Sequence, residues 1–326
     1  MEKNFLVFSN GEKIGDGIIK LHLLHEIKKR FPDHKLIWMT NKGNTVYNNQ
    51  LKNIASFYID DIIEIANLNP FFWNKISKNY NLNNVFYEYI FDTQKAIYRT
   101  VALKRIRCKN FLSSAGNGLF SSFRLNLKKN DTRKYYLNDL FDLLNLLKTD
   151  TIDSSFRVTI PENLQNTLKK IFNRGDKYLG IAPGAGEKNK IWPLEKFIKL
   201  GKYFENKNFK IVLFLGPDEI SIKERLMFEF PQALIPEKII KNFSNIEIVM
   251  GSTRFLTCAI ANDSGISHML STKHCPLIKL FGPKDSNKFT PEHVNLKSIT
   301  STQFNSSDVK VIPIEEVIKV IEDSIS

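Results

Sequence analysis

Short apolar runs alternate along this chain with polar loops and with apolar residues at helical spacing. Residues 5–8 form the first run. A glycine-bearing loop follows, then a helical pattern that ends at Phe31-Pro32, and residues 36–39 form the next run. Continuous apolar runs of this length, bounded by turn residues, are typical of strands buried on both faces of a parallel sheet. The opening of the chain is therefore predicted to be β-α-β.

The same alternation continues towards the C-terminus, so the whole chain is predicted to belong to the α/β class. Glycine, proline and asparagine mark the breaks between the later elements. Further strands are predicted at residues 54–66, 85–91, 178–182, 211–215, 245–249 and 275–281, and further helices at residues 135–147, from Pro161 onward, at 266–272 and at 314–325.

A chain of 326 residues is long enough for two domains, each with its own core. The second half repeats the strand, glycine turn and helix of the first half, beginning with the apolar run at residues 178–182. Residues 150–160 lie between the halves and precede a new helix. We therefore expect one domain at residues 1–155 and a second at residues 156–326.

The net charge of +13 suits nucleic acid, an anionic membrane surface or an anionic small substrate as a partner. The basic residues are scattered, however. Clusters at residues 28–30, 104–107 and 128–129 are short, and no nucleic-acid-binding signature accompanies them. Nucleic acid is therefore not expected as a partner. A membrane surface that carries an anionic lipid substrate is the expected partner.

Three features that the sequence lacks bear on the cellular compartment of the protein. The cysteines, Cys108, Cys258 and Cys275, include no C-x-x-C pair and favour neither a disulfide framework nor a zinc site. No run of about 18 apolar residues predicts a transmembrane helix. Residues 1–13 also lack the long apolar stretch of a secretory signal. We expect a cytoplasmic protein.

The loop after the first predicted strand contains Gly15 and Asp16. Its glycine spacing, G-x3-G-x-G, is neither that of a dinucleotide-binding loop nor that of a P-loop. Open α/β sheets bind ligands at the carboxyl ends of their strands, where this loop is predicted to lie. Asp16 can be a helix-capping residue or a general base, and the residues alone leave both roles open.

A second glycine turn, Pro-Gly-Ala-Gly at residues 183–186, follows the strand predicted at residues 178–182. Backbone N–H groups in such a turn can approach a phosphate closely. Lys190 comes next, and its charge can stabilise a leaving diphosphate. Lys188 is the local alternative and is expected to be solvated, while Trp192 suits a core position and a ligand contact equally.

Residues 262–265, Asn-Asp-Ser-Gly, can cap the N-terminus of a helix. The free N–H groups of that N-terminus suit an anion such as a diphosphate. Asp263 can bind sugar hydroxyls or can merely cap the helix. A capped helix without function and a ligand site are equally compatible with this stretch.

Three stretches together resemble glycosyltransferase family 9, the lipopolysaccharide heptosyltransferases and their relatives. NDSGISH followed by PLIKLFGP (residues 262–268 and 276–283) is similar to the family's C-terminal signature. Residues 183–193 are similar to its PGA…K-x-WP segment, and Gly15-Asp16 to its opening GD motif. The three occur in the family's order, and the resemblance runs from about residue 4 to about residue 300. It implies a GT-B fold, in which two Rossmann-like domains face each other across a cleft and the last helix packs back on the first domain.

The resemblance also implies roles for the domains and residues. The N-terminal domain would hold an acceptor, and the C-terminal domain a nucleotide-sugar donor. Asp16 matches the family's catalytic base and Lys190 its lysine, although Lys13 and Gly17 depart from the family pattern around Asp16. The other implied contacts are Gly184, Ala185, Gly186, Glu219 (or Asp218), Asp263, Ser264, Gly265 and His268 for the donor, and Lys13, Gly15, Asp92 and Gln94 for the acceptor.

The reaction implied is inverting, metal-independent transfer of a sugar, heptose from ADP-heptose, to a lipopolysaccharide core or related glycolipid. The nucleotide-sugar is a substrate, so no cofactor is expected, and the implied location is the cytoplasmic face of the inner membrane. Two alternatives stay open: another nucleotide-sugar donor with a polysaccharide acceptor, or a nucleotide-sugar-binding protein without catalysis. Asp92 and Gln94 suit a helix cap as well as an acceptor contact.

Overall fold

The computed structural model describes residues 3–71, 82, 84–124, 136–216, 219–282 and 295–326. The chain divides into two compact units, Met1–Asp153 and Ser154–Ser326. The division falls inside residues 150–160, the stretch that the sequence suggested as the boundary. Several residues singled out in the sequence lie outside the described ranges, namely Lys128, Lys129, Asp218 and Pro283.

The first unit is built on a five-stranded parallel sheet whose strand order is β3-β2-β1-β4-β5. This is the arrangement of a Rossmann-type half, in which the strand order reverses between β1 and β4. The β1 strand is buried along its whole length, as its continuous apolar run predicted. The strands are β1 (Asn4–Ser9), β2 (Lys35–Thr40), β3 (Asp61–Ile63), β4 (Tyr87–Asp92) and β5 (Cys108–Ser113).

Helices cover this first sheet. The long helix α1 (Ile14–Arg30) begins inside the stretch predicted as a glycine-bearing loop, so that Gly15 and Asp16 lie in its first turn. It ends before Phe31-Pro32, with three basic residues in its last turn. Cations there interact favourably with the negative end of the helix dipole. The other described helices of this unit are α2 (Lys52–Ala55), α3 (Ile97–Leu103) and α4 (Tyr136–Asn145).

The second unit has its own five-stranded parallel sheet, in the order β10-β9-β8-β6-β7. Counted within the unit this is the flavodoxin-like order, and it reverses between β6 and β8. The strands are β6 (Lys177–Ala182), β7 (Phe209–Leu213), β8 (Cys258–Asn262), β9 (Leu277–Phe281) and β10 (Leu296–Thr300).

The helices of the second unit include the last helix of the chain, α11 (Ile314–Ile325). Its residues Val317 and Ile321 are fully buried in the core of the second unit. The apolar face of this helix thus packs within the second unit, and the expectation that the helix also packs back on the first domain stays a prediction. The others are α5 (Glu162–Leu168), α6 (Leu194–Glu205), α7 (Ile220–Glu229), α8 (Pro236–Ile239), α9 (Asn245–Ser252) and α10 (Gly265–Leu270).

The strand predicted at residues 245–249 is also wrong, since these residues open helix α9. The side chain of Ser244 caps the helix and accepts a hydrogen bond from the backbone N–H of Glu247 at 3.1 Å. Most of α9 is buried, so its apolar residues show no polar face and resemble a buried strand. The Ser-x-x-Glu spacing was the local signal for a helix start.

Both units place the sequence motifs where their strand order reverses. In the first unit, Asp16 follows β1 and Asp92 ends β4. In the second, the glycine turn follows β6 and Asp263 follows β8. Ligands bind to open α/β sheets in the crevice outside the carboxyl ends of the strands at such switch points. The topology therefore marks two candidate sites, one in each unit.

Candidate active site

Lys190 and Asp263 form an ion pair at the switch point of the second sheet. The ammonium nitrogen of Lys190 lies 3.3 Å from Oδ2 of Asp263 and 3.0 Å from Oε1 of Glu187. The side chains of Lys190 and Asp263 are only 12% and 10% exposed, whereas that of Glu187 is 53% exposed. The better-shielded pair thus joins Lys190 of the PGA…K-x-WP segment to Asp263 of the C-terminal signature.

Asn262, at the end of β8, holds the loop that carries Lys190. Its amide nitrogen donates a hydrogen bond to the carbonyl of Pro183 at 2.6 Å, and its amide oxygen accepts one from the backbone N–H of Trp192 at 3.1 Å. All three residues are buried. Because both bonds are shielded from water, the β6 loop is fixed against β8, and the position of Lys190 relative to Asp263 is set by the fold.

The glycine turn meets Glu219, the acidic residue at the start of α7. A Cβ atom on Gly184 would collide with the Glu219 carboxylate, so an alanine there would displace that side chain. A Cβ on Gly186 meets no atom within 4 Å in the described structure, and Ala185 is partly exposed. The turn therefore packs against Glu219 at Gly184 and leaves open space at Gly186.

Helix α10 begins directly after Asp263. The backbone N–H of Ser264 donates to Oγ of Ser267 at 3.3 Å, and these two serines form a capping box at the start of the helix. Space also surrounds Gly265, since no described atom lies within 4 Å of a Cβ built there. Ser264 and Gly265, which the sequence suggested as donor contacts, thus lie directly after Asp263 in the chain.

The imidazole of His268 lies on the same helix and carries no charge at neutral pH. Burial, together with the nearby ammonium groups of Lys279 and Lys190, lowers the pKa of His268 to about 4, although Asp263 acts in the opposite direction. A neutral imidazole can donate or accept a hydrogen bond but supplies no positive charge. The charge available to an anion here therefore comes from lysines.

In the first unit, Asp16 occupies the first turn of α1 and is exposed. The residue at the N-cap position is the exposed Lys13, whose side chain makes no capping hydrogen bond. No hydrogen bond of the Asp16 carboxylate is found within the described residues. Asp16 is therefore not the capping residue, and its carboxylate is open to a substrate. The half-buried Gly15 precedes it.

Steric packing explains why a glycine, Gly17, follows Asp16. A Cβ atom on Gly17 would collide with the side chain of Val46, and the hydroxyl of Tyr47 donates to the carbonyl of Gly17 at 2.7 Å. The loop before α2 thus presses directly against the start of α1. This departure from the family pattern follows from local packing and leaves the exposed Asp16 carboxylate unaffected.

Asp92 and Gln94, at the end of β4, are engaged within the first unit. The buried carboxylate of Asp92 accepts hydrogen bonds from Thr100 Oγ1 at 2.6 Å, Ser113 Oγ at 2.9 Å and the backbone N–H of Gln94 at 2.8 Å. The side chain of Gln94 accepts from Arg99 at 2.8 Å. Of the two roles left open for Asp92, this geometry favours the structural one, because no face of its carboxylate is left exposed to an acceptor.

The comparisons with known proteins agree on one family. The model of glycosyltransferase family 9 (heptosyltransferase) matches residues 100–317, well over half of the chain. The chain belongs to glycosyltransferase family 9. It is 27% identical over 272 residues to lipopolysaccharide heptosyltransferase 1 of Campylobacter coli, a match that covers 73% of this chain and 76% of that protein.

Solved structures of family 9 proteins share the fold. The family 9 glycosyltransferase from Veillonella parvula DSM 2008 matches with a TM-score of 0.74 and 17% identity, over 99% of this chain and 97% of that one. The E. coli heptosyltransferase WaaC with ADP matches with a TM-score of 0.70 and 16% identity, over 98% and 99% of the two chains. The expected GT-B fold class, with two Rossmann-like α/β units, is thus confirmed, and the chain is a glycosyltransferase.

Trp192 and Lys188 lie in the same motif as Lys190 and differ in burial. Trp192 is fully buried, and its indole N–H donates to the carbonyl of Ile312 at 3.0 Å, which makes it a core residue. Lys188 is exposed, as expected for the solvated alternative to Lys190. The K-x-W-P part of the motif thus combines one candidate site residue, Lys190, with one packing residue, Trp192.

Sequence reasoning missed a polar pair beside Asp16. Lys20 lies one helical turn after Asp16, is only 3% exposed, and interacts electrostatically with Glu12 and Asp16. Burial lowers the pKa of Lys20, while these two carboxylates oppose that change. Glu12 accepts a hydrogen bond from the backbone N–H of Val46 at 3.2 Å, and burial raises its pKa. The i, i+4 spacing of Asp16 and Lys20 was the available signal.

Among the described residues, no group of three or more His, Cys, Asp or Glu side chains is arranged to hold a metal ion. In the same part of the chain, no helix combines the length and the apolar character needed to cross a membrane.

Proposed function

We propose that this family 9 glycosyltransferase moves heptose from ADP-heptose to a lipopolysaccharide core or a related anionic glycolipid. The observation that carries the proposal is the shielded Lys190–Asp263 pair at the switch point of the second sheet, which offers one cation to a diphosphate and one carboxylate to a sugar. The name of the Campylobacter coli relative, a lipopolysaccharide heptosyltransferase, supports the choice of sugar and acceptor. The E. coli structure with ADP supports the choice of nucleotide.

The donor contacts follow from the chemistry of the second unit. Lys190 and the backbone N–H groups of residues 184–186 bind the diphosphate and stabilise the charge that it gains as it leaves. Asp263 accepts hydrogen bonds from sugar hydroxyls, and Glu219 accepts them from the ribose. His268, as a neutral imidazole, hydrogen-bonds the sugar or the phosphate. Ser264 and Gly265 complete the diphosphate end.

The first unit supplies the base. Asp16 accepts the proton of the acceptor hydroxyl while that oxygen attacks the anomeric carbon of the donor sugar. The bond between this carbon and the diphosphate oxygen breaks in the same step, ADP leaves with the bonding electrons, and the anomeric configuration inverts. The exposed carboxylate of Asp16, not engaged in helix capping, supports this role. Lys13 and Gly15 lie beside it as acceptor contacts.

The acceptor side has the surface expected for a glycolipid. Ile97, Tyr98 and Leu119 are large apolar side chains that are 52%, 59% and 79% exposed, and the half-buried Arg99 lies next to Tyr98. The side chains of Ile97 and Leu119 both approach Gly116, so these two belong to one patch. An apolar patch with basic neighbours suits an anionic lipid surface. We therefore propose that the protein works at the cytoplasmic face of the inner membrane, with no nucleic acid as partner.

A thermal-shift screen with ADP, UDP, GDP and CMP tests the donor part of the proposal. A ligand that binds only the folded state raises the unfolding temperature according to its concentration relative to Kd. We expect a concentration-dependent shift with ADP that is larger than the shift with each of the others, and a further increase with ADP-heptose. A shift selective for UDP or GDP would overturn the choice of ADP-heptose, and no shift with any nucleotide would overturn nucleotide-sugar binding itself.

A further inference from the structure

Lys279 is a lysine in the middle of a core strand. It occupies β9, between β8 and β10, and its side chain is completely buried. Its ammonium nitrogen has no hydrogen-bond partner among the residues that the structure describes. A buried ammonium without a partner destabilises the fold, so its presence points to a role that compensates for this cost.

The ammonium of Lys279 is directed towards the functional edge of the sheet. Alternation along β9 places Leu277, Lys279 and Phe281 on one face, opposite Ile278 and Leu280, which belong to the core shared with α6 and α11. The Lys279 nitrogen lies 5.3 Å from the centre of the Phe281 ring, which is two residues nearer the carboxyl end of the strand. The lysine therefore extends towards the end of the sheet at which the candidate donor residues lie.

Small neighbours leave room for this side chain. In the register of the parallel sheet, Ala261 of β8 and Ser298 of β10 are the partners of Lys279, so both lie beside it on the same face. Two residues beyond Ala261 comes Asp263, which interacts electrostatically with Lys279. His268 of helix α10 also lies within electrostatic range of the same ammonium.

Asp263 thus interacts with two lysines, Lys190 from the loop after β6 and Lys279 from strand β9. Lys190 pairs with it directly, at 3.3 Å, and Lys279 acts on it from within the sheet. When a diphosphate binds Lys190, Asp263 gives up part of its first counter-ion, because the phosphate oxygens compete for the same ammonium. A second, buried cation would keep the Asp263 carboxylate paired during that exchange.

We propose that Lys279 is a positioning residue of the donor site, a second cation that holds Asp263 in place when Lys190 turns to the diphosphate of a nucleoside-diphosphate sugar. This inference rests on the proposed function, which places the donor beside Lys190 and Asp263. It assigns Lys279 no contact with the substrate. Its effect reaches the donor through Asp263 and through the charge of the site.

The test compares Lys279→Met with Lys297→Met, an exposed lysine on the neighbouring strand β10 that serves as the matched control. Without ligand, Lys279→Met should unfold at a higher temperature than the wild type, because a buried ammonium group without a hydrogen-bond partner has been removed. Its Kd for ADP, measured by titration calorimetry, should rise on the order of tenfold, and its KM for ADP-heptose should rise more than its kcat falls. Lys297→Met should change none of these values.

The pH dependence of ADP binding provides a second readout. Burial lowers the pKa of Lys279 to about 8, with Asp263 opposing the change. Since an anion favours the ammonium form, wild-type affinity should hold up to about pH 8 and fall above it, and Lys279→Met should lack this fall. Among the residues that the structure describes, the ionisable groups that act on Lys279 are Asp263 and His268, and Lys190 is linked to it through Asp263. In Lys190→Ala the fall should persist, at weaker overall affinity.

The outcomes separate this inference from the proposed function. If the wild type binds ADP and Lys279→Met binds it with the same Kd, the role of Lys279 is overturned and the proposed function stands. A variant Lys279→Met that is less stable than the wild type would overturn the argument that the buried ammonium, which lacks a hydrogen-bond partner, destabilises the fold. If the wild type binds no nucleotide, the proposed function fails, and the inference about Lys279 fails with it.

Discussion

The ammonium nitrogen of Lys190 lies 3.3 Å from Oδ2 of Asp263, so a cation from the β6 loop and a carboxylate from the β8 loop meet at one edge of the second sheet. A bound diphosphate would compete with Asp263 for the ammonium group of Lys190. Lys190→Ala should therefore weaken donor binding and slow the reaction together. We expect kcat/KM for the donor to fall on the order of 10²–10³-fold, as for other groups that stabilise a developing charge.

Lys188→Ala is the control for that variant, because Lys188 lies two residues away in the same loop and is exposed. Its steady-state kinetics should match those of the wild type within about twofold, as for loss of a solvated charge. Wild-type kinetics for Lys190→Ala, or an equal loss in both variants, would contradict the assignment of the leaving-group cation to Lys190.

Asp16→Asn keeps the shape of the side chain but removes its ability to accept a proton. Because Asp16 belongs to the first unit and the proposed donor contacts to the second, turnover should be lost while the ADP-induced thermal shift is retained. General-base catalysis contributes about 10²–10⁴-fold, which sets the expected loss in kcat. Residual activity near the wild-type rate would assign the base to another group.

Asp92 should control stability and its dependence on pH. Burial raises the pKa of Asp92 to about 6, despite the hydrogen bonds from Thr100, Gln94 and Ser113. A folded-state pKa above the unfolded value favours the protonated carboxyl in the folded protein, so the stability that Asp92 contributes is fully present below about pH 4 and lost as the pH rises through about 6.

Asp92→Asn should remove this part of the pH dependence. Urea unfolding between about pH 4 and pH 7 would measure it, as a wild-type free energy of unfolding that falls with pH more steeply than that of the variant. Gln94→Ala is the control, because this variant keeps the carboxyl group of Asp92. Identical slopes for Asp92→Asn and the wild type would show that this carboxyl does not titrate as described.

Trp192→Phe tests the division between core and site in the K-x-W-P segment. The change removes the hydrogen bond to the carbonyl of Ile312 and leaves unfilled volume in the core of the second unit. We expect a loss of about 1–3 kcal/mol in the free energy of unfolding. The Kd for ADP, measured on the folded variant, should be unchanged, and a large rise in Kd would make Trp192 a ligand contact.

Chelation of metal ions should leave the rate unchanged. The proposed leaving-group charge is stabilised by the ammonium of Lys190, a cation that the chain itself supplies. Initial rates with and without excess EDTA, each after dialysis, would measure this. A rate that is lost in EDTA and restored by added magnesium would contradict the metal-independent mechanism.

The sequence predicted the elements that carry the motifs because those elements obey local rules. Buried parallel strands such as β1 and β6 read as continuous apolar runs, and glycine turns mark their carboxyl ends. Helix α9 was mistaken for a strand because a largely buried helix has no polar face to reveal its period. The apolar stripe of the last helix does not specify which core receives it, and the structure shows Val317 and Ile321 in the core of the second unit.

The charge relations of the site were harder to predict. The Lys190–Asp263 pair joins residues 73 positions apart, 190 and 263, and depends on β6 and β8 being neighbours in the sheet. The burial of Lys279 depends on both neighbouring strands, although a lysine inside an apolar run was a visible irregularity. Pairing and burial of charges are properties of the assembled sheet, so the sequence alone predicts the motifs but not these contacts.

The most direct test of the central claim is a transfer assay with ADP-heptose and a heptose-deficient lipopolysaccharide acceptor, read by mass spectrometry. We expect the acceptor to gain heptose, with one ADP released for each heptose transferred, and we expect no product with Asp16→Asn. An acceptor that stays unmodified with ADP-heptose but gains a sugar from a UDP- or GDP-linked donor would contradict heptose transfer.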